Sequence, residues 1–128
     1  MGIAIQPPGP AAAPVPAASL VNYGQVTAPG ALTFIANIPT PAPGTYALNI
    51  YAQLSGTPGA ADRDNIQLDI DNTAITTLPL AAGITAEDIQ PVMQLVVKTI
   101  GTNIVVRSIG AGAAGSIYTC LIVATKVL

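Results

Sequence analysis

The chain has 128 residues, 51% of them apolar but only 8% charged, with a net charge of -2, no histidine, no tryptophan and one cysteine. The length suits one domain, and the single cysteine excludes an intrachain disulfide. The four basic residues, Arg63, Lys98, Arg107 and Lys126, stand singly, so the clustered cations that neutralise nucleic-acid phosphates are missing.

The distribution of charge is more telling than its amount. Residues 1 to 61 contain no Asp, Glu, Lys, Arg or His. Disordered tails are ordinarily rich in charge and poor in aliphatics, whereas this span holds Ile3, Ile5, Val15 and Leu20. Nine of the twelve prolines fall between residues 7 and 43, and the run "PPGPAAAPVPAAS" at 7 to 19 favours polyproline II geometry. Extended in that way, nineteen residues reach about 60 Å. Residues 1 to 30 are therefore expected to form an extended arm that a partner covers, with Ile3, Ile5, Pro7, Pro8, Pro10, Val15, Pro16 and Leu20 as its contact residues. No basic and apolar leader pattern and no apolar run of 18 residues occurs, which predicts neither export by that route nor a membrane-spanning helix. Gln6 breaks the myristoylation pattern that Met1-Gly2 begins.

From residue 31 onward the pattern is one of strands. "ALTFIANI" (31 to 38) predicts Leu32, Phe34, Ala36 and Ile38 on one face, and "TYALNIYAQL" (45 to 54) does the same with Tyr46, Leu48, Ile50, Ala52 and Leu54. In "NIQLDID" (65 to 71), Ile66, Leu68 and Ile70 alternate with Gln67, Asp69 and Asp71, which are expected on the solvent side. Further strands are predicted in "TAITTLPL" (73 to 80), "PVMQLVVKTI" (91 to 100), "NIVVRSI" (103 to 109) and "SIYTCLIVATKVL" (116 to 128). "GTN" at 101 to 103 reads as a hairpin turn, and "TAED" at 85 to 88 as the one helix-capping signal. The expectation is an all-β fold, an antiparallel, jelly-roll-like β-sandwich of seven or eight strands over residues 31 to 128.

No stretch assembles catalytic chemistry. "GAGAAG" (110 to 115) matches G-x-G-x-x-G, but a strand follows it where a dinucleotide site requires a helix N-terminus, so a flexible hairpin loop is expected. Asp62, Asp64, Asp69 and Asp71 lack the glycine and terminal glutamate of a calcium loop and read as a solvated face. Glu87 and Asp88 are adjacent and suit capping rather than a facing carboxylate pair. Cys120 has no histidine to activate it and alternates with Tyr118, Ile122 and Ala124, which predicts a buried thiol. Without histidine, the usual general bases and zinc ligands are largely absent, and no enzyme, cofactor or metal site is expected.

"GTYALNIYAQL" (44 to 54), "LVVKTIGTNIVVRSIGAGAAG" (95 to 115) and "SIYTCLIVATKV" (116 to 127) together resemble the inner strand, hairpin with Gly-rich loop, and closing strand of jelly-roll domains of the C1q and tumour-necrosis-factor type. Similar sandwiches serve tailed phages as capsid decoration or fibre-head proteins. The resemblance implies a homotrimer burying sheet surface around a three-fold axis. With the low charge and the arm, it implies a virion protein on the outer capsid surface, with the major capsid protein and its own copies as partners and neither nucleic acid nor membrane. A receptor- or glycan-binding head of a fibre or tail is the alternative, with Tyr23, Tyr46, Tyr51 and Tyr118 as the available aromatic platforms.

Overall fold

The structure, a computed structural model, describes residues 19–78 and 89–128. Eight strands lie in these residues: β1 (Ser19–Thr27), β2 (Phe34–Pro39), β3 (Gly44–Gly56), β4 (Ile66–Ile70), β5 (Thr73–Leu78), β6 (Gln90–Thr99), β7 (Asn103–Ser108) and β8 (Ser116–Lys126). One short 3-10 turn, Ala60–Asp64, precedes β4. The strands form two antiparallel four-stranded sheets, in the orders β1-β8-β3-β6 and β2-β7-β4-β5. The chain is thus an all-β sandwich with jelly-roll connectivity.

Alternation explains the central strands. Tyr46, Leu48, Ile50, Ala52 and Leu54 of β3 are all buried, and they meet Ile66, Leu68 and Ile70 of β4 and Tyr118, Cys120, Ile122 and Ala124 of β8 in one aliphatic core. Burying a full set of such side chains contributes on the order of 1.5 to 3 kcal/mol each for the larger ones.

Three local expectations are corrected. The segment expected to run as an arm to residue 30 includes β1, which pairs with β8 from Ser19↔Thr125 to Thr27↔Ile117. Of the arm's expected contact residues, Leu20 lies in β1, half-buried against the core, while Ile3, Ile5, Pro7, Pro8, Pro10, Val15 and Pro16 lie outside the described residues. The face expected for Leu32, Phe34, Ala36 and Ile38 is broken by a register shift between Phe34 and Ala36. Leu32 has φ 59 and is exposed, Phe34 is 48% exposed, and Ile35 takes the buried place beside Ala36 and Ile38. An extra residue at a bulge reverses which neighbours face inward.

The third correction concerns connections. "GTN" and "GAGAAG" are not hairpin loops, because β6 and β8 belong to one sheet and β7 to the other, so both segments carry the chain across the sandwich. Among the described strands, consecutive pairing within one sheet occurs only between β4 and β5. There Ile70 pairs with Thr73 around Asp71 (φ 51) and Asn72 (φ 61), both left-handed as a two-residue hairpin turn of type I′ demands. The capping signal at 85 to 88, with Glu87 and Asp88, lies outside the described residues.

Candidate functional site

The acidic segment, the natural place to look for chemistry, is distributed rather than assembled. Asp62 is buried beneath the Gly-rich crossing, where one carboxylate oxygen accepts hydrogen bonds from the Tyr118 hydroxyl and the Ala113 amide (3.1 Å). The other accepts from the Gly59 amide at 2.6 Å. Asn65 completes the cluster, its Nδ2 donating to the Gly110 carbonyl and to the Tyr118 hydroxyl (both 2.9 Å) while its Oδ1 accepts from the Gly110 amide at 2.7 Å. Every buried polar group here has a partner, which is the condition for such a group to stabilise rather than strain a core. Burial, reinforced by the Asp62 carboxylate, pushes the Tyr118 hydroxyl up to about 12.

Asp69, expected on a solvated face, is instead almost fully buried on the outer side of the β2-β7-β4-β5 sheet. Its Oδ2 lies 2.7 Å from Arg107 Nε and its Oδ1 accepts from Gln67 Nε2 at 2.8 Å. Asp71 leaves the strand altogether and enters the β4-β5 turn. Its carboxylate accepts from Thr99 Oγ1 (2.6 Å) and from the amides of Ile100 (2.9 Å) and Thr102 (3.0 Å), gripping the β6-β7 crossing. Partial desolvation opposes the charge, but these hydrogen bonds outweigh it and hold the carboxyl below its ordinary value. Asp64 is exposed in the 3-10 turn. Asp62, Asp69 and Asp71 therefore serve separate structural tasks, and no group of three or more metal-ligating side chains occurs among the described residues. Cys120 is in the core, where burial pushes its thiol up to about 12. The Gly-rich crossing runs directly into β8, leaving no helix N-terminus to receive a pyrophosphate.

The surface that stands out is the outer face of the β1-β8-β3-β6 sheet. Its strands carry only two charged side chains, Lys98 and Lys126, both at the end where β3 begins. Between them and the far end the face consists of aliphatic, aromatic and neutral polar side chains. Val21 is 60% exposed, Tyr23 61% and Val96 67%. Tyr23 pairs in register with Leu121, and Leu121 with Tyr51, so a Tyr-Leu-Tyr row crosses three strands at about 4.8 Å per step. Of the four tyrosines, Tyr46 and Tyr118 are buried and only Tyr23 and Tyr51 reach this face.

β1 is the edge strand of that sheet and lies over β2 of the other. A Cβ at Gly24 would overlap the Ile35 carbonyl oxygen, so only glycine permits this approach. Asn22 Oδ1 accepts from the Asn37 amide at 2.9 Å and ties the two strands together. Ser19, where residues 1 to 18 join the sandwich, is anchored through its hydroxyl to Thr125 Oγ1 at 2.8 Å.

The exposed face was hidden from sequence reasoning because β1 inverts the usual signal. Asn22 and Gly24 point inward, while Val21 and Tyr23 point outward. The lack of charge in the first 61 residues was the signal that could have found it. No family model matches this chain, and neither a curated protein nor a solved structure matches it.

Proposed function

We propose that this protein is a non-enzymatic structural component of a virion, a decoration protein that binds and stabilises an assembled phage capsid as a trimer through its N-terminal segment. One observation carries the reading. Residues 1 to 61 carry no charge, and the sheet whose edge strand β1 begins within that span, at Ser19, bears only two charged side chains, Lys98 and Lys126, both at one end. Charge depletion with exposed aliphatic and aromatic side chains is the compositional mark of the centre of a protein interface. Many shallow apolar contacts, multiplied by the copies in an oligomer, give avidity without a deep pocket. Jelly rolls recur among capsid proteins, and the resemblance to the C1q and tumour-necrosis-factor type points the same way.

The test is co-sedimentation of the full chain with candidate capsids, beside a full-length variant carrying Ile3→Ser, Ile5→Ser and Val15→Ser. Binding by the native chain, loss in the variant and a higher melting temperature of decorated capsids are expected. Equal binding by both proteins, or capsids whose thermal stability is indifferent to decoration, would reject the reading.

The Tyr23-Leu121-Tyr51 row favours one other reading, a receptor- or glycan-binding head of a fibre or tail, because aromatic side chains form stacking platforms for sugar rings. Glycan-array binding abolished by Tyr23→Ser, with capsid binding absent, would select it.

A further inference from the structure

Among the described residues the two sheets have four outer strands, β1 and β6 in one, β2 and β5 in the other. An outer strand exposes unpaired backbone groups, and three of these four carry features that discourage another strand from joining. β2 has Pro39 and a register shift, β6 has Pro91, Lys98 and a register shift, and β5 is six residues long with a shift of its own. β1 has none of them. It runs nine residues, Ser19 to Thr27, in unbroken register with β8, and contains neither a proline nor a charged side chain.

The hydrogen-bond pattern fixes what that edge offers. The Ala28 amide donates to the Ser116 carbonyl in continuation of the ladder, so the backbone groups of Leu20, Asn22, Gly24 and Val26 point to β8. Those of Ser19, Val21, Tyr23, Gln25 and Thr27 point the other way, where no described strand pairs with them. The contact with β2 does not use them either, because Asn22 and Gly24 make it from the inward side of β1.

The chemistry of the edge selects its partner. A strand docking here must supply a regular row of N–H and C=O groups, and in the N-terminal segment the prolines at 7, 8, 10, 14 and 16 lack the N–H. A second β1 supplies the full row. Set antiparallel about a two-fold axis through Tyr23, two β1 strands bring Val21 opposite Gln25 and Ser19 opposite Thr27, and form about ten hydrogen bonds, the number an ordinary interface carries. Such symmetry sets the central side chain against its own copy, where a charge would repel itself. β1 has no charge to repel. Across the junction the Tyr51-Leu121-Tyr23 row continues into Tyr23-Leu121-Tyr51 of the other copy, so the two uncharged faces become one.

We propose that β1 is a self-association edge: two copies pair their β1 strands antiparallel about Tyr23, joining two four-stranded sheets into one of eight. Each copy offers this edge once, so the contact closes at two copies. It goes beyond the trimeric capsid reading, to which it adds a two-fold link between neighbouring assemblies.

The experiment uses full-length chains and no capsid. Tyr23→Cys is oxidised and separated without reductant beside Ile75→Cys, whose exposed position lies on the β5 edge; Cys120 is buried and does not compete. Facing residues of a hydrogen-bonded pair stand about 5.5 Å apart at Cα, within the reach of a disulfide. A covalent dimer is expected from Tyr23→Cys and not from Ile75→Cys. Cross-linking no greater than that control overturns the proposal. In a second measurement, Tyr23→Lys and Tyr23→Glu should each weaken self-association about tenfold in sedimentation equilibrium, and an equimolar mixture of the two should recover it. Unchanged association in the single variants, or no recovery in the mixture, overturns the proposal equally. Neither readout involves capsid or alters residues 1 to 18, so failure here rejects edge pairing alone, while failed co-sedimentation rejects the capsid reading alone.

Discussion

The two ends of the sandwich are each held by one carboxylate, and the two act from opposite sides of the solvent boundary. Asp62 works from inside, buried under the crossing between β7 and β8, where it gathers a tyrosine hydroxyl and two amides. Asp71 works from the rim, collecting a threonine hydroxyl and amides of the crossing between β6 and β7. Each solves the same problem, since a chain passing between sheets leaves the ladder and exposes donors that need an acceptor. The buried solution is more rigid and less tolerant of loss, because water cannot replace a missing partner. The exposed solution is weaker and responds to pH.

The sharpest way to break this contrast is Asp62→Ala, which takes the acceptor from the buried Tyr118 hydroxyl and from the Ala113 and Gly59 amides at its edge. It should lower unfolding free energy by about 4 kcal/mol in urea titration. Tyr118→Phe removes one donor from the same cluster and should cost about 2 kcal/mol. It should also change the alkaline limb. Tyr118 is raised from 10.0 to about 12 in the folded protein, so its contribution to native stability is complete below pH 10 and declines as pH rises toward 12, because the unfolded chain releases this proton first. Cys120, raised from 9.0 to about 12, opens the same decline about one unit earlier. Tyr118→Phe should leave only the cysteine contribution in a pH series followed by circular dichroism.

Asp71→Asn tests the other end. It keeps an acceptor but not the charge, and solvent screens what is lost, so about 1 kcal/mol is expected at pH 7. Because the folded carboxyl lies below 3.8, the native chain has this contribution in full above that value and loses it as pH falls through the folded pKa. The variant should show a flatter acid limb, and an identical limb would mean that Asp71 does not grip the crossing in solution. The smallest effect is expected at neither end. Val96→Ser, on the uncharged face, should change stability by less than about 0.5 kcal/mol, yet weaken assembly measured by light scattering.

How much of this was legible depended on whether information was local. The inward faces of β3, β4 and β8 follow from period-2 alternation, since Tyr46 through Leu54 or Ile66 through Ile70 each carry the pattern within one strand. β1 was obscured because Asn22 and Gly24 sit inward for reasons belonging to β2, a hydrogen bond to Asn37 and clearance for the Ile35 carbonyl. The Phe34/Ala36 bulge likewise depends on the partner strand β7. Asp62 and Tyr118 are 56 residues apart, and no spacing rule connects them. Which crossings join opposite sheets follows only once β8 is inserted between β1 and β3. The candidate surface was legible as a compositional fact, the missing charge, but its location required the register.

That insertion has a consequence for biosynthesis. β8, the last of the described strands, is the only sheet partner among them of β1, the first, and it also supplies one flank of β3. Until β8 has been made, β1 has no ladder to join among the described strands and its uncharged side chains remain without cover. Closure of the sandwich thus waits on β8, and β-sandwich topologies of this kind fold in about milliseconds to seconds. A chain cut short before residue 116 would lose not one strand but the continuity of the β1-β8-β3-β6 sheet, so that only chains that include β8 present its uncharged face intact.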